Sequence, residues 1–361
     1  MNRFGAYAFG AYAAQTVKAG SSSVIKMIQQ GSITIASGSA SNTYTVSPAI
    51  SNTANAIIIL GGFTTSNNTA AEDRDSAILV ITNSTTITAT RGIAPAFVVT
   101  LNFTIIEFAS GVNSIQAGTI AFGTSTASAT ATISTVGANA FVLFNGSNDS
   151  GSEVSSFMLA GVTLTNSTTV TAFVNSSATI TQNVRYMVVD LDATIVTGVQ
   201  KFSTSMTSSS ASDTDTLTSV VAANTALMWG GIVTGSAAVF SGTAYNLFLT
   251  NATTVTKTRI GINSAARTAY YTAVTFAASA LNSSIQRTNS ALSMSSASSA
   301  TWTITSVNTA KAFVNWNGFS ATSASPNVVE PSITLASATT VTAAINSSGS
   351  SNPSAEVIEF K

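Results

Sequence analysis

Asn83-Ser84-Thr85-Thr86-Ile87-Thr88 decides how this chain is read, because the phrase comes back. It returns as Asn166-Ser167-Thr168-Thr169-Val170-Thr171, as Asn251-Ala252-Thr253-Thr254-Val255-Thr256, and as Ser337-Ala338-Thr339-Thr340-Val341-Thr342. Asn suits a turn, since it tolerates left-handed backbone and bonds its own main chain; Ser does the same more weakly. The alternation of Thr with a β-branched apolar residue that follows is the pattern of a strand with one wet face. Each copy therefore reads as a turn entering a strand.

Three further anchors keep a fixed order around it. An aliphatic residue precedes Gln at Ile28-Gln29, Ile115-Gln116, Val199-Gln200 and Ile285-Gln286, with the glutamines 87, 84 and 86 residues apart. An apolar run ends in Gly at Ala56 to Gly62, Ala140 to Gly146, Thr225 to Gly231 and Ala312 to Gly318. Ile105-Ile106-Glu107-Phe108, Val188-Val189-Asp190-Leu191, Ala273-Val274-Thr275-Phe276 and Val357-Ile358-Glu359-Phe360 close the units. Four anchors in one order, four times, mean one module in four copies.

Within a module the pattern is β. Ser32-Ile33-Thr34-Ile35 and Thr301-Trp302-Thr303-Ile304 alternate, and Ser/Gly/Asn clusters separate the runs. Six or seven short strands in about 85 residues call for a two-sheet sandwich or a small barrel. The expected fold is all-β: four tandem β-sandwich-like repeats with a short N-terminal arm. The arm is 1–23 and the modules are 24–109, 110–193, 194–279 and 280–361. The links are short, so a semi-rigid array with touching neighbours is expected.

Composition narrows the function. Of 361 residues, 13 are Lys or Arg and 13 Asp or Glu, for a net charge of zero, and there is no His and no Cys. Ser and Thr together make up 111 positions. Zinc sites built on Cys or His, Cys nucleophiles, Ser-His-Asp triads and disulfides are excluded. Nucleic acid is not an expected partner, since its binders need clustered Lys and Arg. No apolar run is long enough to cross a bilayer as a helix. Ala11-Tyr12-Ala13 mimics a signal-cleavage site, but the apolar stretch before it is short and broken by Gly5 and Gly10, so no cleaved signal is expected.

Candidate sites are few. A glycosidase needs two facing carboxylates, and nothing here pairs them. The chain is read as non-catalytic, without cofactor and without metal; the best place for an ion would be Asp213 and Asp215, or the Glu72–Asp75 loop. The column Glu107, Asp190 and Glu359, with Thr275 in the third copy, reads as an outward polar position on a closing strand. The recurrent Gln reads as a fold residue. Leu60, Phe144, Trp229 and Trp316 share one position in the apolar-Gly anchor and read as core. After that anchor each copy inserts its own loop, and rigid scaffolds place contacts on loops. Partner-contact candidates are Glu72, Asp73, Arg74 and Asp75 in the first loop, Asp149 and Glu153 in the second, and Pro326 and Glu330 in the fourth. Phe4, Tyr7, Phe9 and Tyr12 join them, from the doubled Phe-Gly-Ala-Tyr of the arm; these rings are expected to pack on a neighbouring subunit.

The phrase Ile28 to Gly38, then Asn83 to Arg91, then Ile106-Glu107-Phe108, resembles modules in virion structural proteins of tailed bacteriophages. The likeness spans roughly Val24 to Lys361. Modules three and four depart from it, with Phe202-Ser203-Thr204 and Thr288-Asn289-Ser290 in place of the Gly-Ser-Ile segment. The resemblance implies a non-enzymatic fibre, collar, tail or capsid-decoration protein in the virion, assembled in the host cytoplasm. Its implied partners are other virion proteins, further copies of itself and the host surface. A secreted bacterial adhesin or a carbohydrate-binding tandem β-sandwich protein is the alternative.

Overall fold

Threonine, valine and isoleucine, stiff at the β-carbon, favour extended backbone, and the computed structural model is 65% strand. It describes residues 23–66, 77–94, 96–150, 160–175, 181–207, 210–234, 244–259, 267–288, 290–294, 297–321, 330–349 and 351–361, and holds no α-helix among them. The N-terminal arm lies outside the described residues.

Six strands recur per module. Module one has β1 (Ile25–Ile35), β2 (Ser41–Thr45), β3 (Ala56–Thr65), β4 (Ile78–Asn83), β5 (Thr86–Thr90) and β6 (Val99–Phe108). Module two has β7 (Val112–Phe122), β8 (Ser128–Thr132), β9 (Phe141–Asp149), β10 (Gly161–Asn166), β11 (Thr169–Phe173) and β12 (Gln182–Leu191). Module three has β13 (Val196–Met206), β14 (Ser212–Thr216), β15 (Thr225–Thr234), β16 (Asn246–Asn251), β17 (Thr254–Thr258) and β18 (Arg267–Phe276). Module four has β19 (Gln286–Arg287), β20 (Ala297–Thr303), β21 (Ala312–Ala321), β22 (Ser332–Ser337), β23 (Thr340–Gly349) and β24 (Ser351–Glu359).

In every module the first strand pairs with the sixth and the sixth with the third, while the second pairs with the fifth and the fifth with the fourth. These two half-sheets enclose the module's own core, which in module one holds Ile33, Ile58, Leu79, Ile87 and Leu101. Neither half-sheet stops there. The third strand of each module bridges to the fourth strand of the preceding one: Gly146 opposite Ile78, Gly231 opposite Gly161, Gly318 opposite Asn246. Gly62 opposite Ser332 closes the circle between modules one and four. The result is four six-stranded antiparallel sheets in a four-bladed propeller arrangement.

This corrects the expected row of sandwich-like repeats. Each blade is half one module and half its neighbour. A free-standing module would leave the edges of its third and fourth strands unpaired; joining them around a ring pairs both.

The apolar-Gly anchor explains how. Its glycine sits at positive φ in all four copies, +87° at Gly62, +98° at Gly146, +102° at Gly231 and +87° at Gly318. A β-carbon on Gly231 would lie 1.9 Å from the Ala160 carbonyl oxygen of the preceding module. Glycine is therefore the residue that lets two modules' backbones meet. The strand does not end at this glycine, as the sequence suggests, but bulges there and runs on to Thr65, Asp149, Thr234 and Ala321.

Where the modules converge, their strands fill the axis. Phe108, Leu191, Phe276 and Phe360 hold one repeated position and are all buried. The Phe360 ring lies 5.5 Å from that of Phe276 and 6.3 Å from that of Phe108.

Candidate functional site: an apolar cavity on the axis

The third strand presents Leu60, Phe144, Trp229 and Trp316 at one repeated position, and all four line a single cavity of about 70 Å³. Phe63, Ser147, Ile232 and Phe319, three residues later, line it as well. Leu60 and Trp316 are buried and Phe144 and Trp229 half-buried. They pack as core, as their shared position implies, but they also wall a common chamber. The Trp229 and Trp316 rings lie 5.6 Å apart, and Trp316 stacks on Phe319 at 6.0 Å. The buried Trp316 indole N–H makes no hydrogen bond among the described residues.

Besides Leu101, Gly146 and Gly231, the remaining wall comes from Ala77, Ala160, Ala244 and Glu330. Each of these four stands just before the fourth strand of its module. The cavity is thus walled by residues on both sides of every connection between third and fourth strands, which are the four stretches that differ most between copies. Of the contact candidates, Glu330 is buried in this wall and Asp149 is buried at the end of β9. Phe4, Tyr7, Phe9, Tyr12, Glu72, Asp73, Arg74, Asp75, Glu153 and Pro326 lie outside the described residues.

The recurrent polar residues serve the scaffold. Gln116 donates to the Ser134 carbonyl at 2.9 Å and accepts from the Ser134 N–H at 2.7 Å. Gln200 does the same with Thr218, and Gln286 with Thr305. Gln29 donates to the carbonyl of Pro48, which has no N–H to return, and to the Met27 sulfur. Asn83, Asn166 and Asn251 each accept the N–H of the residue two on, at 2.8 to 2.9 Å, and Ser337 accepts at 3.2 Å.

The acidic column is a correction. Glu107 is 1% exposed, and Asp190 and Glu359 are 5% exposed. They do not face outward; they accept N–H groups from the connection between second and third strands. Glu107 accepts from Ser51 and Asn52 N–H at 3.1 and 3.0 Å and from the Ser51 hydroxyl. Asp190 accepts from Gly137 N–H at 2.6 Å, and Glu359 from Asn308 N–H at 2.7 Å. Burial raises the Glu107 pKa, but the Ser51 and Asn52 donors and Lys26 outweigh it, and the net shift is below the ordinary value.

Asp213 and Asp215, named above for an ion, face a cation of the chain itself. Lys257 Nζ lies 2.8 Å from Asp215 Oδ1 and 3.4 Å from Asp213 Oδ2. Among the described residues no three His, Cys, Asp or Glu side chains gather as metal ligands, and no helix is long and apolar enough to cross a membrane. Sequence reasoning missed a junction cluster in module four. Glu356 accepts the Leu227 N–H of module three at 2.8 Å, Asn315 donates to the Leu227 carbonyl at 2.9 Å, and Arg287 donates to the Thr225 carbonyl at 2.7 Å. The signal was available: Asn315 stands where the other copies have Ile59, Leu143 and Met228.

No protein-family model matches the chain, and no curated protein matches it.

Proposed function

We propose that the protein is a non-enzymatic structural or attachment component of a bacteriophage particle, built as a ring of four modules that differ in sequence between their third and fourth strands. One observation carries the reading: residues flanking all four connections between third and fourth strands wall a single cavity. The described residues that flank these four variable segments thus meet around one cavity, whereas four independent domains in a row would hold them apart. Fixed elements that hold variable loops are how scaffolds recognise partners. The cavity wall is apolar and aromatic apart from Ser147 and Glu330, which suits contact and offers no pair of facing carboxylates for hydrolysis. With 7% charged residues, salt has few groups to act on. The virion as setting, with other virion proteins, further copies of the chain or the host surface as partners, rests on the sequence resemblance.

Peptide mass spectrometry and immunogold labelling of gradient-purified particles test it. Labelled particles at a regular location are expected. A protein absent from particles and displayed on the bacterial surface would instead favour the adhesin reading.

A further inference from the structure

In module three, positions facing the module's own core have turned polar together. Lys257 stands where the other modules have Ala89, Ala172 and Ala343, and Asp215 stands where module two has Ala131. Thr204 and Tyr271 complete the group. Lys257 is 0% exposed and lies opposite buried Leu247 on β16. Its Nζ touches Asp215 Oδ1 at 2.8 Å. The other oxygen, Oδ2, is held by the Tyr271 hydroxyl at 2.6 Å and the Thr204 hydroxyl at 2.8 Å. Tyr271 is itself fixed by the Phe202 ring, stacked on it at 4.9 Å. Burial, and then its bond to Asp215, push the Tyr271 pKa up, so it stays a donor.

The three sister modules have no counterpart of the Lys257–Asp215 pair, so the fold does not need it. A buried ion pair seldom outperforms apolar packing. What the arrangement does provide is an amine and a carboxyl held in contact away from water, with two hydroxyl donors polarising the carboxyl. That converts a bimolecular condensation into a unimolecular one. We propose that Lys257 and Asp215 become joined by an isopeptide bond that the folded chain forms unaided.

The step balances without a co-reactant. Asp213 Oδ2, 3.4 Å from Nζ and on the more open side with its side chain 42% exposed, takes a proton from the ammonium. Nζ then attacks Asp215 Cγ. A Cγ–O bond breaks as the Nζ–Cγ bond forms, the departing oxygen receives the proton held by Asp213 and a second from nitrogen, and water leaves. An ammonium and a carboxylate become one amide, and Asp213 ends unchanged. The product loses both buried charges and keeps a carbonyl oxygen for Tyr271 and Thr204. It also ties β14 to β17 in a chain that has no cysteine for disulfides.

Intact mass spectrometry of the purified full chain, denatured after folding, decides the matter. A mass one water below that of the sequence is expected, with a digest yielding one branched peptide that joins Lys257 to Asp215. Lys257→Arg and Asp215→Ala should each restore the full mass. Should either variant fail to fold, the wild-type mass still decides. Asp213→Ala should slow bond formation during refolding by on the order of 100-fold, the usual scale of a lost general base; an unchanged rate would remove Asp213 from the step. The full sequence mass in folded wild-type protein, or a water loss mapped elsewhere, overturns the proposal.

Discussion

Gln30 and Leu335, 305 residues apart, hold each other as neighbouring strands do: the Gln30 amide donates to the Leu335 carbonyl at 3.1 Å and accepts its N–H at 3.0 Å. This exchange fastens module four to module one beside the bridge of Gly62 and Ser332. The Ser23 hydroxyl, at the start of the described chain, donates to the Lys361 carbonyl at 2.8 Å. The two ends of the ring therefore meet, and any link between modules is topologically equivalent to the gap between them.

Circular permutation should accordingly be tolerated. A chain opened at Ser110, in the link between modules one and two, with Lys361 joined to residue 23 by a short Gly/Ser linker, is expected to fold with an unchanged far-UV circular dichroism spectrum. Its urea midpoint should lie near that of the parent lacking residues 1–22. Opening between β4 and β5, inside the Asn83-Ser84-Thr85 turn, should fail, because that hairpin supplies two strands of one blade. Equal behaviour of the two permutants would argue against a closed ring.

The junction glycines separate two causes of strain. Gly231→Ala puts a β-carbon 1.9 Å from the Ala160 carbonyl oxygen at a φ of +102°. It should cost more than the about 1–3 kcal/mol of backbone strain alone, since the two modules must move apart. Gly38→Ala has a similar backbone, φ +74°, but nothing within 4 Å. Its cost should be only about 1–2 kcal/mol. Urea unfolding of both variants gives the comparison.

What was legible in the sequence was what is local or repeated. The Asn83 turn, its three copies and the recurrent glutamine all act within one module, so each could be read from a short stretch. The ring was not legible, because periodicity reveals that four equal units exist but not whose third strand lies beside whose fourth. Glu107, Asp190 and Glu359 were misread because alternation assigns a polar residue near a strand end to solvent. Their partners are N–H groups of a different segment, about 53 residues away for Asp190 and Gly137. Lys257 could have been found: Thr-Lys-Thr at 256–258 breaks the Thr-Ala-Thr of residues 88–90 at the inward position.

Glu107 gives a pH signature. Its folded pKa is depressed below the ordinary 4.5. A depressed carboxylate stabilises the fold above the unfolded-state pKa and loses that contribution as pH falls through the folded value. Wild-type protein should therefore exceed Glu107→Gln in stability at neutral pH by about 1.5–3 kcal/mol, the scale of hydrogen bonds to a charged acceptor. The gap should narrow below roughly pH 4.5 as the wild-type carboxylate takes up its proton. Urea midpoints of both proteins at pH 7 and pH 3 measure it; a gap that stays constant would mean that the Ser51 and Asn52 donors do not depend on the charge.

The junction between modules three and four tests whether a polar seam is interchangeable with an apolar one. Arg287, Asn315 and Glu356 occupy the positions that in module two are Ala117, Leu143 and Met187, by their register against the sixth strand and their place in the third. Alone, Glu356→Met strips the acceptor from the Leu227 N–H and leaves Arg287 without its carboxylate at 3.4 Å. A loss of about 3–5 kcal/mol is expected, since breaking a buried pair strands the partner. Asn315→Leu alone leaves the Leu227 carbonyl without its donor and should cost about 1–3 kcal/mol. The triple variant Arg287→Ala, Asn315→Leu, Glu356→Met removes the cluster together and substitutes the set that module two carries beside its junction with module one. It should recover only the part of the loss that comes from stranding Arg287 without its carboxylate, because the Leu227 N–H and carbonyl and the Thr225 carbonyl still lose their side-chain partners. Urea unfolding of the two single variants and the triple provides the comparison. Strictly additive losses would show that the seam's polarity, rather than its internal pairing, holds modules three and four together.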